Sequence, residues 1–195
     1  MPSAPENEKS ELRARLRHRR KHLTTAEAHE AGQGLQQNLA VLVTRLGALS
    51  VSCYLSTPTE PSTRPFIDWA LASGIRILFP ISRDDGLLDW AAGGQGGETT
   101  GLWGISEPDG ERLGPLAVSE VDLIIVPASA VDAQGTRLGW GRGYFDKTLS
   151  SLEKRPPVYA VVFDNEVLPE VPKEAHDQPV NGVVTPCRIL DFSCD

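Results

Sequence analysis

The first apolar signal along the chain is sparse. Leu12 and Leu16 stand four residues apart in a charged segment, which predicts a helix over residues 8–22 with both leucines on its inner face. Lys9, Arg13 and Arg17 repeat at i, i+4 and i+8, so they form one stripe along that helix. Thr24 followed by Glu27 spells a capping box. Leu35, Leu39, Leu42 and Leu46 then recur at helical spacing up to Gly47, so a second helix is expected with these four leucines on its core face.

Beyond Gly47 the pattern changes to short continuous apolar runs. Residues 51–55, 75–81, 121–126, 158–163 and 180–185 read as buried strands, and 87–92 as a weaker one. Residues 66–72, closed by Gly74, and 143–152 read as short helices; 56–62 and 93–97 read as loops. Runs rich in Val and Ile are what strands buried on both faces require. Their alternation with helices predicts an α/β fold, a single-domain layered sheet with helices on both faces, Rossmann-like rather than P-loop. No internal repeat or linker divides residues 1–195.

Composition narrows this little. An apolar fraction of 40% supports a real core, and the 18 Gly and 15 Pro imply many ordered loops. No apolar run approaches the ~20 residues of a membrane span, and the charged N-terminus has no secretory signal pattern. The cysteines (Cys53, Cys187, Cys194) follow no metal spacing and read as reduced thiols of a cytoplasmic protein. Residues 1–22 hold seven Lys/Arg against three Glu, so they contribute +4 to a net charge of −7 and leave −11 on the remainder. An acidic body with one basic segment argues against broad nucleic-acid binding, although the segment suits an anion. A monomer is expected.

The chemistry concentrates in residues 126–146, VPASAVDAQGTRLGWGRGYFD. A buried strand feeds a loop with alternating Gly139, Gly141 and Gly143, and a helix follows at once. Glycines let consecutive amides converge on an anion, and the helix start adds positive potential. Arg137 and Arg142 bring fixed charge, so the loop suits a polyphosphate. A glycine-rich turn serving only tight packing is the competing reading. The segment is neither a Walker P-loop nor a dinucleotide fingerprint, since GxxxxGK[ST] and GxGxxG are both missing.

This run resembles the signature of the 5-formyltetrahydrofolate cyclo-ligase family, V-P-G-x-A-F-D-x-x-G-x-R-L-G-x-G-x-G-Y-Y-D. Four further stretches are similar to the family in order: Lys9-x-x-x-Arg13; Tyr54-Leu-Ser-Thr-Pro-Thr-Glu60; Gly104-Ile-Ser-Glu107-Pro108; and the region from Leu168 through His176-Asp177 to Thr185. Ala128-Ser129, Val131, Arg142 and Phe145 depart from the common pattern.

The resemblance implies ATP- and Mg²⁺-dependent cyclisation of 5-formyltetrahydrofolate, with or without a polyglutamate tail, to 5,10-methenyltetrahydrofolate. The formyl oxygen is phosphorylated and leaves as phosphate. It implies that Lys9, Arg13, Arg137, Gly139, Trp140, Gly141, Arg142, Gly143 and Tyr144 bind ATP, the loop residues largely through their backbone, with Arg142 acting in the transfer. Asp146 and Asp177 would hold Mg²⁺. Leu55, Glu60, Trp103 and Tyr144 would bind the folate, although Trp103 equally suits a core position. Arg15, Arg19 and Arg20 are expected on a solvated face. Two other functions remain open: a non-catalytic folate or nucleotide-binding regulator, and a sugar-phosphate isomerase or CoA-transferase relative on a similar scaffold.

Overall fold

Strands buried on both faces alternate their contacts with a period of two, and the central strands show why their sequences are apolar throughout. The computed structural model describes residues 4–93, 97–104 and 106–192. The helices are α1 (Ala4–Arg20), α2 (Thr25–Leu46), α3 (Arg64–Ala72) and α4 (Tyr144–Ser150). The strands are β1 (Ser50–Ser52), β2 (Arg76–Ser82), β3 (Leu88–Ala92), β4 (Glu98–Thr100), β5 (Ser106–Pro108), β6 (Arg112–Leu113) and β7 (Leu123–Pro127). There follow β8 (Ala130–Asp132), β9 (Arg137–Leu138), β10 (Val158–Val161), β11 (Val167–Leu168), β12 (Gly182–Val184) and β13 (Ile189–Asp191).

Eight strands form the main sheet in the order β13-β12-β10-β7-β1-β2-β3-β6. The five from β12 to β2 run parallel, and β3, β6 and β13 are antiparallel additions at the edges. Ile77 and Phe79 of β2, Leu123 and Ile125 of β7, and Tyr159 and Val161 of β10 pack with Leu35, Leu39 and Leu42 of α2 and Phe66 of α3. The intervening Leu78, Ile124, Val126, Val158 and Ala160 pack on the other face with Leu149 of α4 and Val118. The expected layered α/β sheet is therefore present. Taken in chain order, its parallel strands lie 2-1-3-4-5, a doubly wound arrangement whose switch point falls between β1 and β7. Ligands of such sheets bind outside the carboxyl ends of the strands at that point.

Helix α2 begins with the expected Thr24–Glu27 capping box and ends at Gly47 in a left-handed conformation, φ 64°. Leu46 does not join the core; it is exposed, and Val43 fills the inner face of the last turn instead. Strand β1 is shorter than the apolar run 51–55. Cys53 N–H still reaches Leu78 O, but the Thr63 hydroxyl then donates to Tyr54 O and accepts from Ser56 N–H, drawing the chain out of the sheet. The polar hairpin β4–β5 and the edge strands β6 and β13 have no apolar run to announce them. Residues 94–96 of the loop expected at 93–97 lie outside the described residues, as does Cys194; Cys53 and Cys187 are free thiols.

Helix α1 stands apart from the main sheet. Its Leu12 and Leu16 pack on Ala130, Leu138 and Val171, against the small sheet β11-β8-β9. That docking carries the basic helix to the loops at the switch point.

Candidate active site

A cavity of about 390 Å³ opens at the carboxyl ends of β1, β2 and β7. Tyr54, Leu55 and Glu60 enter it from the loop after β1, Ser82 from the end of β2 and Pro127 from the end of β7. Arg137, Gly139, Trp140, Arg142, Gly143, Tyr144, Phe145 and Asp146 form the opposite wall, and Glu107 and Arg17 also reach it.

The glycine loop is shaped by its cations. Gly141 has φ 91°, and a Cβ there would lie 3.3 Å from the Arg13 guanidinium. Arg13 Nε donates to Gly139 O at 2.9 Å, tying α1 to the loop. Arg137 is buried; its Nη1 donates to Pro127 O and its Nη2 to Asp146 Oδ1 at 2.7 Å. Asp146 Oδ1 also accepts from Gln178 N–H, while Oδ2 makes no hydrogen bond among the described residues. Tyr144 Oη donates to Arg83 O, fixing its ring against the cavity.

Where the two walls meet, Trp140 Nε1–H donates to Glu60 Oε1 at 2.8 Å, and Glu60 Oε2 accepts from the amide and hydroxyl of Thr57. The Trp140 side chain, expected to contribute mainly backbone to an anion site, thus turns toward the carboxylate. Beside it the Tyr54 hydroxyl is buried with no hydrogen-bond partner among the described residues. Burial first, then the charge of Glu60, push that phenol well above its usual range, so it stays a neutral O–H.

Lys9 is almost fully buried and already doubly paired, to Asp177 Oδ2 at 2.7 Å and Glu174 Oε2 at 2.8 Å. Burial is the largest influence on both partners of the Lys9–Asp177 pair and opposes charge, but the hydrogen bonds and attraction between them outweigh it. Lys9 ends above its ordinary 10.5 and Asp177 below its ordinary 3.8. The carboxylate therefore stabilises the fold fully above pH 3.8 and loses this contribution as pH falls through its lowered folded value. The ammonium stabilises it fully below pH 10.5 and loses this as pH rises through its raised value. In urea denaturation, wild type should hold a constant advantage over Asp177→Asn between about pH 5 and 9, shrinking below about pH 4. An advantage unchanged at pH 3 would show that the pair does not set acid stability.

Sequence reasoning expected Arg20 on a solvated face, and the structure corrects it. Arg20 is buried, its Nε and Nη2 each 2.7 Å from the carboxylate of the equally buried Glu166. Leu12, Leu16 and Arg20 lie at i, i+4 and i+8, so the apolar face itself points Arg20 inward. Tyr54 and Glu107 were also overlooked as site residues, although both lie inside stretches that resemble the family. The expected folate contact Trp103 falls in the 3-10 turn Leu102–Gly104, but its side chain is outside the described residues. Glu174, His176 and Asp177 bring ligand atoms within 4.8 Å of one another; Asp146 is not in that group. No helix among the described residues is long and apolar enough to cross a membrane.

A doubly wound sheet with a charged, glycine-walled cavity at its switch point is the construction of an α/β enzyme. Residues 5–186 match the model of the 5-formyltetrahydrofolate cyclo-ligase family, and the chain belongs to that family. It is 34% identical over 185 residues to the 5-formyltetrahydrofolate cyclo-ligase of Mycolicibacterium smegmatis, covering 92% of this chain and 94% of that one. It is 29% identical over 187 residues to the Escherichia coli K12 enzyme of the same name, covering 91% and 100%. The NMR structure of Aquifex aeolicus 5,10-methenyltetrahydrofolate synthetase superposes with a TM-score of 0.80 at 28% identity, over 96% of this chain and 94% of that one.

Proposed function

We propose that this enzyme uses ATP and Mg²⁺ to cyclise 5-formyltetrahydrofolate to 5,10-methenyltetrahydrofolate, releasing ADP and phosphate. The observation that carries this reading is the two-sided cavity. A carboxylate held by Trp140 faces one end, and a glycine loop walled by arginines forms the other. A formamide oxygen is a poor leaving group. Transfer of the γ-phosphoryl group to that oxygen releases ADP and makes it a phosphate ester. N10 then attacks the activated carbon and gives up its proton, and the C–O bond breaks to free phosphate. The protein must align two substrates and neutralise charge, which is a matter of positioning and electrostatics.

In this scheme Lys9, Arg13, Arg137, Arg142 and the amides of residues 139–144 receive the triphosphate, with Arg142 meeting the transferring group. Glu60 accepts N–H groups of the pterin, with Leu55 and Tyr144 against its rings. The donor set suits a magnesium ion, which takes one or two carboxylates and leaves its other positions to water and phosphate. Among the described residues, Asp146 keeps Oδ2 unbonded, while Asp177 commits Oδ2 to Lys9 and to Glu174 N–H, leaving Oδ1 with a His176 nitrogen at 3.8 Å. Asp146 and Asp177 would hold the ion, which supplies charge neutralisation at the phosphates.

Incubation with 5-formyltetrahydrofolate should give the methenyl product, seen by its near-ultraviolet absorbance, only when ATP and Mg²⁺ are both present. Equal product without ATP, or none with every component, would overturn the assignment; binding without turnover would favour the regulator.

A further inference from the structure

The buried Arg20–Glu166 pair is not explained by stability. Arg20 is 3% exposed and Glu166 1%. Taking both charges out of water costs about as much as their attraction returns, so such pairs are often no better than apolar replacements. The pair is also more heavily bonded than a tether needs. Arg20 Nη2 additionally donates to Ala128 O, and Glu166 Oε2 accepts from Phe163 N–H. Held from both sides, the guanidinium lies 4.9 Å from the centroid of the Trp140 ring. Arg17 lies 5.6 Å from the same ring. The indole edge carries the N–H that donates to Glu60 Oε1. A cation fixed over an aromatic face restrains the ring by attraction to its π-electrons.

We propose that Arg20 and Glu166 are positioning residues for the Glu60 end of the cavity: the ion pair fixes the Trp140 indole, and the indole holds the Glu60 carboxylate in the orientation the second substrate meets. This rests on the reading above that Glu60 receives the folate. Neither Arg20 nor Glu166 is among the residues lining the cavity, so each acts through Trp140. Their influence is confined to one end, since Arg13 bonds to Gly139 O, and Arg137 to Pro127 O and Asp146, without passing through the Trp140 side chain.

The test uses the full chain. Trp140→Phe keeps an aromatic face but removes the indole N–H donor. Arg20→Met with Glu166→Gln removes both charges and leaves an acceptor for Phe163 N–H. Each variant should raise the KM for 5-formyltetrahydrofolate about tenfold, the effect of weakening one hydrogen bond to a charged group, with the KM for ATP within about twofold. Arg20→Lys, which keeps the charge but not the planar fork, should fall between. In ¹⁵N NMR of the ligand-free protein, the indole N–H resonance that Trp140→Phe deletes should shift and exchange faster with solvent in the double variant. A folate KM unchanged in Trp140→Phe, or an unmoved indole resonance in a folded double variant, would overturn the proposal. If the double variant fails to fold, Trp140→Phe and Arg20→Lys decide it by the same KM pattern. Absence of turnover in wild type would instead condemn the assigned reaction, and the indole resonance would still test the positioning.

Discussion

Asp146→Asn is expected to lower kcat on the order of 100-fold, the scale on which one preorganised electrostatic contact stabilises a charged transition state. The Mg²⁺ concentration needed for half-maximal rate should rise, while folate binding measured without nucleotide stays as in wild type. The geometry separates two roles for this carboxylate. Oδ1 belongs to Arg137, whose side chain is 2% exposed, and Asn preserves an oxygen there. Oδ2 has no hydrogen-bond partner among the described residues, and substitution removes its charge. If Asp146 served only as counter-ion to Arg137, stability would fall and the Mg²⁺ requirement would stay put. Asp177→Asn should raise the same requirement, and the double variant should lose much less than the singles together, since residues acting on one ion are not independent. Strict additivity would refute a shared ion.

Lys9→Ala should raise the KM for ATP by a factor of ten or more, given roughly 1.5–3 kcal/mol for a hydrogen bond to a charged group, with less effect on folate. Lys9 already holds Asp177 and Glu174, so the substitution also leaves two carboxylates without their cation. Thermal unfolding should therefore shift downward together with the loss of ATP affinity. A lowered melting temperature with an unchanged ATP constant would make Lys9 a tether for the 174–177 loop and nothing more.

The fold was legible wherever burial on both faces forced an unbroken apolar run, as at β2, β7 and β10. It was illegible at β4, β5 and β6, whose polar residues are placed by tertiary neighbours. The length of β1 depended on Thr63, nine residues beyond Tyr54, capturing the backbone with its side chain, which no local pattern encodes. At the site, motif resemblance gathered Leu55, Glu60, Tyr144 and the glycine loop around one cavity. Spacing alone could not show that Asp146 faces Arg137, which depends on how the glycine loop folds back between β9 and α4, or that Asp177 faces Lys9, which depends on how α1 docks. Arg20 was misjudged because its charge was weighed above its place on the face of Leu12 and Leu16.

The docking of α1 also fixes an order of events. Its cations find their partners late in the chain: Arg13 at Gly139, Arg20 at Ala128 and Glu166, Lys9 at Glu174 and Asp177. A ribosome makes the helix near the beginning and those partners well over a hundred residues afterwards. Throughout most of synthesis, Lys9 and Arg20 lack the partners they have in the folded protein, while α2 and the early strands can already begin to associate. The first helix made is thus the last secured, and a chain stopped before residue 166 carries a helix but no completed site.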